Sequence, residues 1–280
     1  MIDTIRNMDV SVHSHSKGNL LKTECIRNGT RLFVKSGRMH LRDFPGFWGI
    51  EPIVEVICSK LGKAMGLVVA EQNLGLLVTE RYNKNIETLV SSSPDFRAGK
   101  QLIYLSTLYV EDSNYIDFDY LCRRLSGVDI VNMLAFDLVI MNEDRHNSNI
   151  AWLQDDSGEL ELAPIYDNGY SLLYDDIKGM LKDYKRASRF CMCNSPLYRE
   201  SFREAERLFS VYSKIYEPTI RLDIKAETID NIIADVKTAY DAYKYNVNNL
   251  IIPDDWWEQV AKFIKWRLQY VRDIRDNMER

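Results

Sequence analysis

The chain has 280 residues, 46% of them apolar and 28% charged, with a formal net charge of −5. It is long enough for two packed lobes, and its acidic balance argues against broad nucleic-acid binding, which needs a sustained basic face to displace counterions from phosphates. No apolar run approaches the roughly 18 residues of a membrane span and no charged-then-apolar leader is visible, so a cytoplasmic protein is the expectation.

In chain order, two strand-like segments, 9–13 and 23–27, flank His15-Ser16-Lys17-Gly18-Asn19-Leu20-Leu21-Lys22. A glycine there lets backbone amides approach phosphate oxygens and the lysines add positive charge, although an ordinary hairpin turn carries the same residues. His13 and His15 alternate as solvent-facing strand residues. Arg31 to Lys35 is a short apolar run ending in lysine. Residues 51–66 read as an amphipathic helix with Ile53, Val54, Ile57, Leu61 and Met65 on one side and Glu55 off that stripe. Leu76 to Tyr82 reads as a buried strand with a polar end, and Ser91-Ser92-Ser93-Pro94 as a loop.

The apolar run from Ile130 to Met141 predicts a helix of about three turns, which stops at Asn142-Glu143-Asp144. Asn149 opens a strand-like run, Asp155-Asp156-Ser157-Gly158 is a turn, and a second run from Leu160 to Tyr166 leads into Asp167. Such a hairpin carries a carboxamide at its start and a carboxylate at its end, on one edge, where a single cation can be bound by both. A phosphoryl-transfer site needs those two oxygen ligands and an aspartate that orients the attacking hydroxyl, and Asn149, Asp167 and Asp144 fit the three posts. Taken singly each segment is an ordinary polar turn; the two in this order are specific. A local patch for nucleotide phosphates is available in Lys17, Lys22, Lys35 and Arg145.

Residues 199–214, 226–249 and 254–278 read as helices. In the last, Trp257, Val260, Ile264, Leu268, Val271 and Ile274 recur at helical spacing, so it packs a core and exposes a charged face. The five cysteines, Cys25, Cys58, Cys122, Cys191 and Cys193, lack a zinc spacing and read as reduced thiols.

Asp144-Arg145-His146-x-x-Asn149 followed by Ala163-Pro164-Ile165-Tyr166-Asp167-x-Gly169 resembles the catalytic core of HipA-like serine/threonine kinases, including the shorter CtkA-type kinases. The resemblance implies an α+β, two-lobed, protein-kinase-like fold, with a small β-rich lobe over residues 1–82 and a mostly helical lobe over 83–280. It implies ATP- and magnesium-dependent transfer to a protein serine or threonine. Asp144, His146 and Lys35 would be catalytic, and Asn149 and Asp167 would hold magnesium. ATP would meet Lys17, Gly18, Asn19 and Lys22 of a degenerate phosphate loop, then Lys35 with its ion-pair partner Glu55. Residues 55–67 look like the family's helix, and 76–82 like its interlobe hinge, so Glu80 and Tyr82 would offer backbone groups to adenine. His146, Asn149, Tyr166 and Asp167 complete the nucleotide contacts.

HipA proper carries a further subdomain ahead of its kinase core, whereas this chain begins almost at the phosphate loop and so resembles the compact form. A small antitoxin-like partner docking on the first lobe, a toxin role, and self-phosphorylation at Ser14 or Ser16 follow as expectations. No direct nucleic-acid or membrane partner is expected. Phosphoinositide 3/4-kinases share Asp-Arg-His-x-x-Asn and Asp-x-Gly, but this chain lacks an evident basic amphipathic surface for anionic membranes. A non-catalytic kinase-fold binding protein is disfavoured because Lys35, Asp144, Asn149 and Asp167 are all present.

Overall fold

Asn28-Gly29, with φ of 49° and 79°, supplies the two positive-φ residues of a tight hairpin turn between β3 (Lys22–Arg27) and β4 (Thr30–Ser36). The pairing sets Lys22 opposite Lys35. This hairpin belongs to a sheet with β1 (Thr4–Arg6), β2 (Val10–Ser11), β7 (Asn73–Arg81) and β8 (Lys84–Pro94), in the order β1-β7-β8-β4-β3-β2. Between β4 and β7 come the short pair β5 (Met39–His40) and β6 (Phe47–Trp48) and the helix α1 (Glu51–Ala64). The computed structural model describes residues 4–6, 10–11, 22–37, 39–40, 47–81, 84–108, 117–173, 180–244 and 252–276.

Two expectations change here. Ser91-Ser92-Ser93-Pro94 is no loop: it is the end of β8, a central strand paired with β4 from Leu32↔Pro94 to Ser36↔Val90. Its serines are buried, and Ser92 and Ser93 satisfy their hydroxyls on the carbonyls of Asn73 and Pro94. Small side chains suit a strand with a helix on one face and a cleft on the other, a demand that local turn propensity does not register. Nor does the chain cross between lobes at residues 76–82. β7 turns back on β8 with Arg81 opposite Lys84, so the sheet runs on to Pro94.

The second part contains β9 (Gln101–Tyr104), α2 (Leu105–Leu108), α3 (Phe118–Arg124), α4 (Gly127–Ile140), β10 (Ala151–Gln154) and β11 (Leu160–Leu162). It closes with α5 (Tyr184–Ala187), α6 (Phe202–Tyr216), α7 (Ala226–Tyr243) and α8 (Asp254–Asp276). The long helices and the β10–β11 hairpin match the sequence periodicity; β9, which pairs with β10, has no counterpart in it. Every residue of α4 except Val128 and Asp129 is buried, as befits a helix apolar on all sides, and it packs against α3, α6 and α8. Ser126 caps it, accepting from Asp129 N, and Met141 ends it in the left-handed conformation at φ 49°.

Two ties place the hairpin for the site. Ile165 N donates to Val68 O at 3.0 Å and Ala70 N to Ile165 O at 2.9 Å, stitching the run before Asp167 to the segment that follows α1. From α8, Arg267 is buried and donates Nε and Nη2 to Leu138 O at 2.9 and 2.7 Å. It is the exception to a solvated charged face, since it satisfies a carbonyl of the last turn of α4. All five cysteines are free thiols. Among the described residues no helix is long and apolar enough to cross a membrane.

Gly127 opens α4 where Tyr216 of α6 leaves no room: a Cβ would stand 2.3 Å from two ring carbons. Gly127→Ala should therefore lower stability by about 1–3 kcal/mol, read as a lower urea midpoint with an unchanged denaturant slope.

Candidate active site

Lys35, Glu55 and Asp167 meet beneath the sheet. Lys35 Nζ lies 3.1 Å from Glu55 Oε1 and donates to Asp167 Oδ1, and Lys22 Nζ lies 3.7 Å from Asp167 Oδ2. Two lysines directly across a strand pair repel, so the two carboxylates below them are what make the register tolerable. Burial alone would push the Asp167 carboxyl up, but Lys35 and then Lys22 outweigh it and hold the group well below the usual carboxylate range. Burial would likewise lower Lys35, yet Asp167 and Glu55 raise it above an ordinary lysine. Asp167 adopts φ 56°, a left-handed conformation that aspartate tolerates better than most residues. Gly169 follows because a Cβ there would come within 3.1 Å of Glu55 Oε1.

Behind this triad lies a buried polar network organised by Arg145, whose side chain is 0% exposed. Its Nε and Nη2 donate to the Asp137 carboxylate at 2.9 to 3.2 Å. Nη1 donates to Asn149 O at 3.1 Å and Tyr166 O at 2.9 Å, and Nη2 also to Asn168 Oδ1 at 2.6 Å. All five guanidinium N–H groups are thereby used. The same nitrogen bonds a carbonyl at each end of the hairpin, so the Asn149 and Asp167 segments are held side by side. Asp137 accepts a further bond from the Tyr198 hydroxyl at 2.8 Å, and Asn168 N donates to Glu55 Oε2 at 2.9 Å, linking the network to the Lys35 pair. Burial works against the Arg145 charge, but Asp137 outweighs it and holds the group protonated. Arg145 is therefore scaffold and not part of a phosphate patch.

Asp144 sits at the exit of α4. Its N–H donates to Asn142 Oδ1 at 2.9 Å, its carbonyl accepts from Asn149 Nδ2 at 2.8 Å, and its Oδ1 accepts from Asn194 Nδ2 at 3.0 Å. The carboxylate is thus aimed while remaining 26% exposed. The Asn149 bond uses the nitrogen of its carboxamide and leaves the oxygen as the end suited to a cation. His146 Nδ1 accepts from Ser148 N at 3.1 Å, so the ring proton lies on Nε2, 3.8 Å from Asp144 Oδ2.

The profile of the HipA-like C-terminal domain matches residues 17–243. The chain belongs to this family. Among solved structures it is similar to the Helicobacter pylori proinflammatory kinase CtkA, at 14% identity and a TM-score of 0.69, over 99% of this chain and 97% of that one. It is also similar to Shewanella oneidensis MR-1 HipA in a complex with HipB and operator DNA, at 15% identity, TM-score 0.48, 94% of this chain and 67% of that one. A Neurospora crassa PAN3 pseudokinase mutant matches at 12% identity, TM-score 0.34, 96% of this chain and 64% of that one. No curated protein matches the chain. The CtkA likeness shows a shared two-lobed kinase-like fold. At this identity the likeness is one of fold, so residue roles rest on the geometry above.

In this HipA-like chain a cleft of about 640 Å³ opens between the sheet and the hairpin. Lys22, Lys35, Glu55, Tyr166 and Asp167 border it, as do Phe33, Ser91, Ser93, Phe96, Leu102 and Tyr104. Phe96 stacks on Tyr166 at 5.7 Å, and the Tyr166 hydroxyl donates to Ser148 O at 3.0 Å. Asp144, His146 and Asn149 lie beside the cleft and do not border it. The structure does not bring Glu80 there: Glu80 pairs with Asn85, whereas Leu74, about 20 Å back along the strand, is the β7 residue opposite Ser91. Lys17, Gly18, Asn19 and Tyr82, with Ser14 and Ser16, fall outside the described residues. The segment that leaves the sheet along the cleft is Ser93 to Phe96.

Asp137, Asn142, Asn168, Asn194 and Tyr198 are site residues that no sequence motif marks. For Asp137 a signal was present, since it is the one acid inside the apolar run from Ile130 to Met141. A charge at such a place is buried and needs a partner.

Arg145→Met should cost about 3–5 kcal/mol, because it strands a buried carboxylate, and Tyr198→Phe about 1.5–3 kcal/mol for a bond to a charged acceptor. Chemical denaturation of the two variants tests the order. A carboxyl lowered by folding stabilises the fold fully above its unfolded pKa, near 3.9, and the contribution is lost as pH falls through the folded value. The stability gap between wild type and Asp167→Asn should therefore narrow from about pH 4 downward, measured by urea melts between neutral and acid pH; a gap that stays constant would remove the ion-pair assignment.

Proposed function

We propose that the chain transfers the γ-phosphoryl group of ATP to a serine or threonine hydroxyl of a protein. The observation that carries this reading is the convergence organised by Arg145: Asn149 and the Asp167 segment side by side, Asp167 under Lys35 and Glu55, and Asp144 aimed from the adjoining turn. Among the described residues no group of three His, Cys, Asp or Glu is placed to hold a metal. A carboxylate and a carboxamide oxygen, with the nucleotide's own phosphates, suit a hard cation such as magnesium, which rarely occupies an all-protein cage. Asp167 and Asn149 would hold it. Bound there, it would neutralise charge on the phosphates.

The remaining work falls to the chain. Lys35, steadied by Glu55, offers its ammonium to the phosphates in exchange for Asp167, with Lys22 beside it. Phe33, Phe96 and Tyr166 give the base apolar surfaces, and the backbone from Ser93 to Phe96 meets its edge. The acceptor oxygen attacks the γ-phosphorus as Asp144 takes its proton; the bridging P–O bond breaks and ADP leaves with the electron pair. Positioning and electrostatics supply most of the acceleration. Membership of the family extends the proposal to a small antitoxin-like partner, a toxin role and self-phosphorylation at Ser14 or Ser16.

Labelling with radioactive ATP tests the reaction. Asp144→Asn and Asp167→Asn should each reduce transfer by about 100-fold or more while circular dichroism stays that of the wild type. Turnover that survives either change overturns the assignment. In thermal melts magnesium-ATP should stabilise the wild type and fail to stabilise Asp167→Asn.

A further inference from the structure

Phe190 and Met192 are the two most exposed large apolar side chains among the described residues, at 75% and 80%. They lie in the segment that ends on the candidate catalytic carboxylate. From Phe190 to Ser195 exposure alternates: Phe190, Met192 and Asn194 face out, while Cys191 is half-buried and Cys193 and Ser195 are buried. That period of two is the mark of extended backbone; the run leaves the turn that Phe190 closes by donating its N–H to Ala187 O at 2.9 Å, and Ser195 is itself extended. Phe190, Met192 and Asn194 therefore share one side of the track, and Asn194 donates to Asp144 Oδ1.

The track is anchored. Asn194 N donates to Glu143 O at 2.7 Å, Cys193 packs in the main core, and Tyr198 holds Asp137. Two large apolar side chains exposed on one side of an anchored segment offer a surface to which an apolar partner can dock. Continuity with Asp144 names the occupant. A hydroxyl presented to that carboxylate belongs to a chain that must run over or beside Asn194, and Met192 and Phe190 lie about 7 and 13 Å further along at strand spacing. Behind them the exposed residues Arg189, Arg186 and Lys185 are cationic.

Resting on the kinase reading above, we infer that this track docks the acceptor segment of a protein substrate: an extended stretch with a large apolar residue about two to four positions from its serine or threonine and acidic residues beyond it.

A peptide array with a fixed serine or threonine, scanned with Leu, Phe, Ala, Glu and Lys at each flanking position and labelled with magnesium-ATP, tests this. Wild type should label peptides with Leu or Phe in that window at least about fivefold above their alanine counterparts, a difference near 1 kcal/mol. The double variant Phe190→Ser, Met192→Ser should lose the preference while its ATP hydrolysis without peptide stays within about twofold of wild type, since neither side chain borders the nucleotide cleft. Labelling indifferent to flanking residues, or a preference that survives in the variant, overturns the inference. So does self-association of the wild type that the variant loses with no change in peptide preference, because a second copy is then the occupant. If the wild type neither hydrolyses ATP nor labels any peptide, the kinase reading fails by itself. Fluorescence anisotropy with a leucine-flanked serine peptide then decides docking separately: weaker binding by the variant supports it and equal binding overturns it.

Discussion

A single buried guanidinium holds this site together. Arg145 uses every N–H it has, on the Asp137 carboxylate, the Asn168 carboxamide and one carbonyl from each end of the β-hairpin. A buried ion pair of this kind is poor evidence for net stability, because the desolvation of two charges offsets most of their attraction. What it determines is arrangement. With Asp137 inside the most buried helix of the fold, the two ends of the hairpin have one satisfied position and no alternative that leaves the charges paired.

From that centre the coupling runs outward through bonds of ordinary length. Asn168 passes it to Glu55 and so to Lys35 on the sheet, Asn142 and Asn149 pass it to Asp144, and Tyr198 ties in the segment that carries Asn194. The sheet and the helical part are thus joined at the cleft, by groups that are mutually compensated: two lysines above, two carboxylates below. Such a charge set is neutral by itself, each buried charge having an opposite charge beside it.

Legibility varied along the chain for identifiable reasons. The α4 helix, the β10–β11 hairpin and the helical stripe of α8 were visible because apolar periodicity is a local property of long elements. Lys35 and Glu55 could be paired in advance only through the family resemblance, because their contact joins a strand to a helix. The serines of β8 have the composition of a loop, since composition reports turn propensity and not the neighbours that make a small, buried strand residue acceptable. The pairing of β7 with β8 is likewise a long-range fact that the pattern of residues 76–82 does not report.

What the sequence determined by itself is the order of chemical groups and the local elements that bear them: Lys35 at a strand end, Asp144 at a helix exit, Asn149 and Asp167 around a turn. Spacing suffices for these because backbone periodicity acts over a few residues. What only the tertiary structure decided is which of the polar residues face a ligand and which face each other. Arg145 turned inward and Asn194 turned toward Asp144. Nothing in the adjacent sequence distinguishes those choices, because each depends on a partner brought from far along the chain, and burial makes a polar group take the partner that the fold provides.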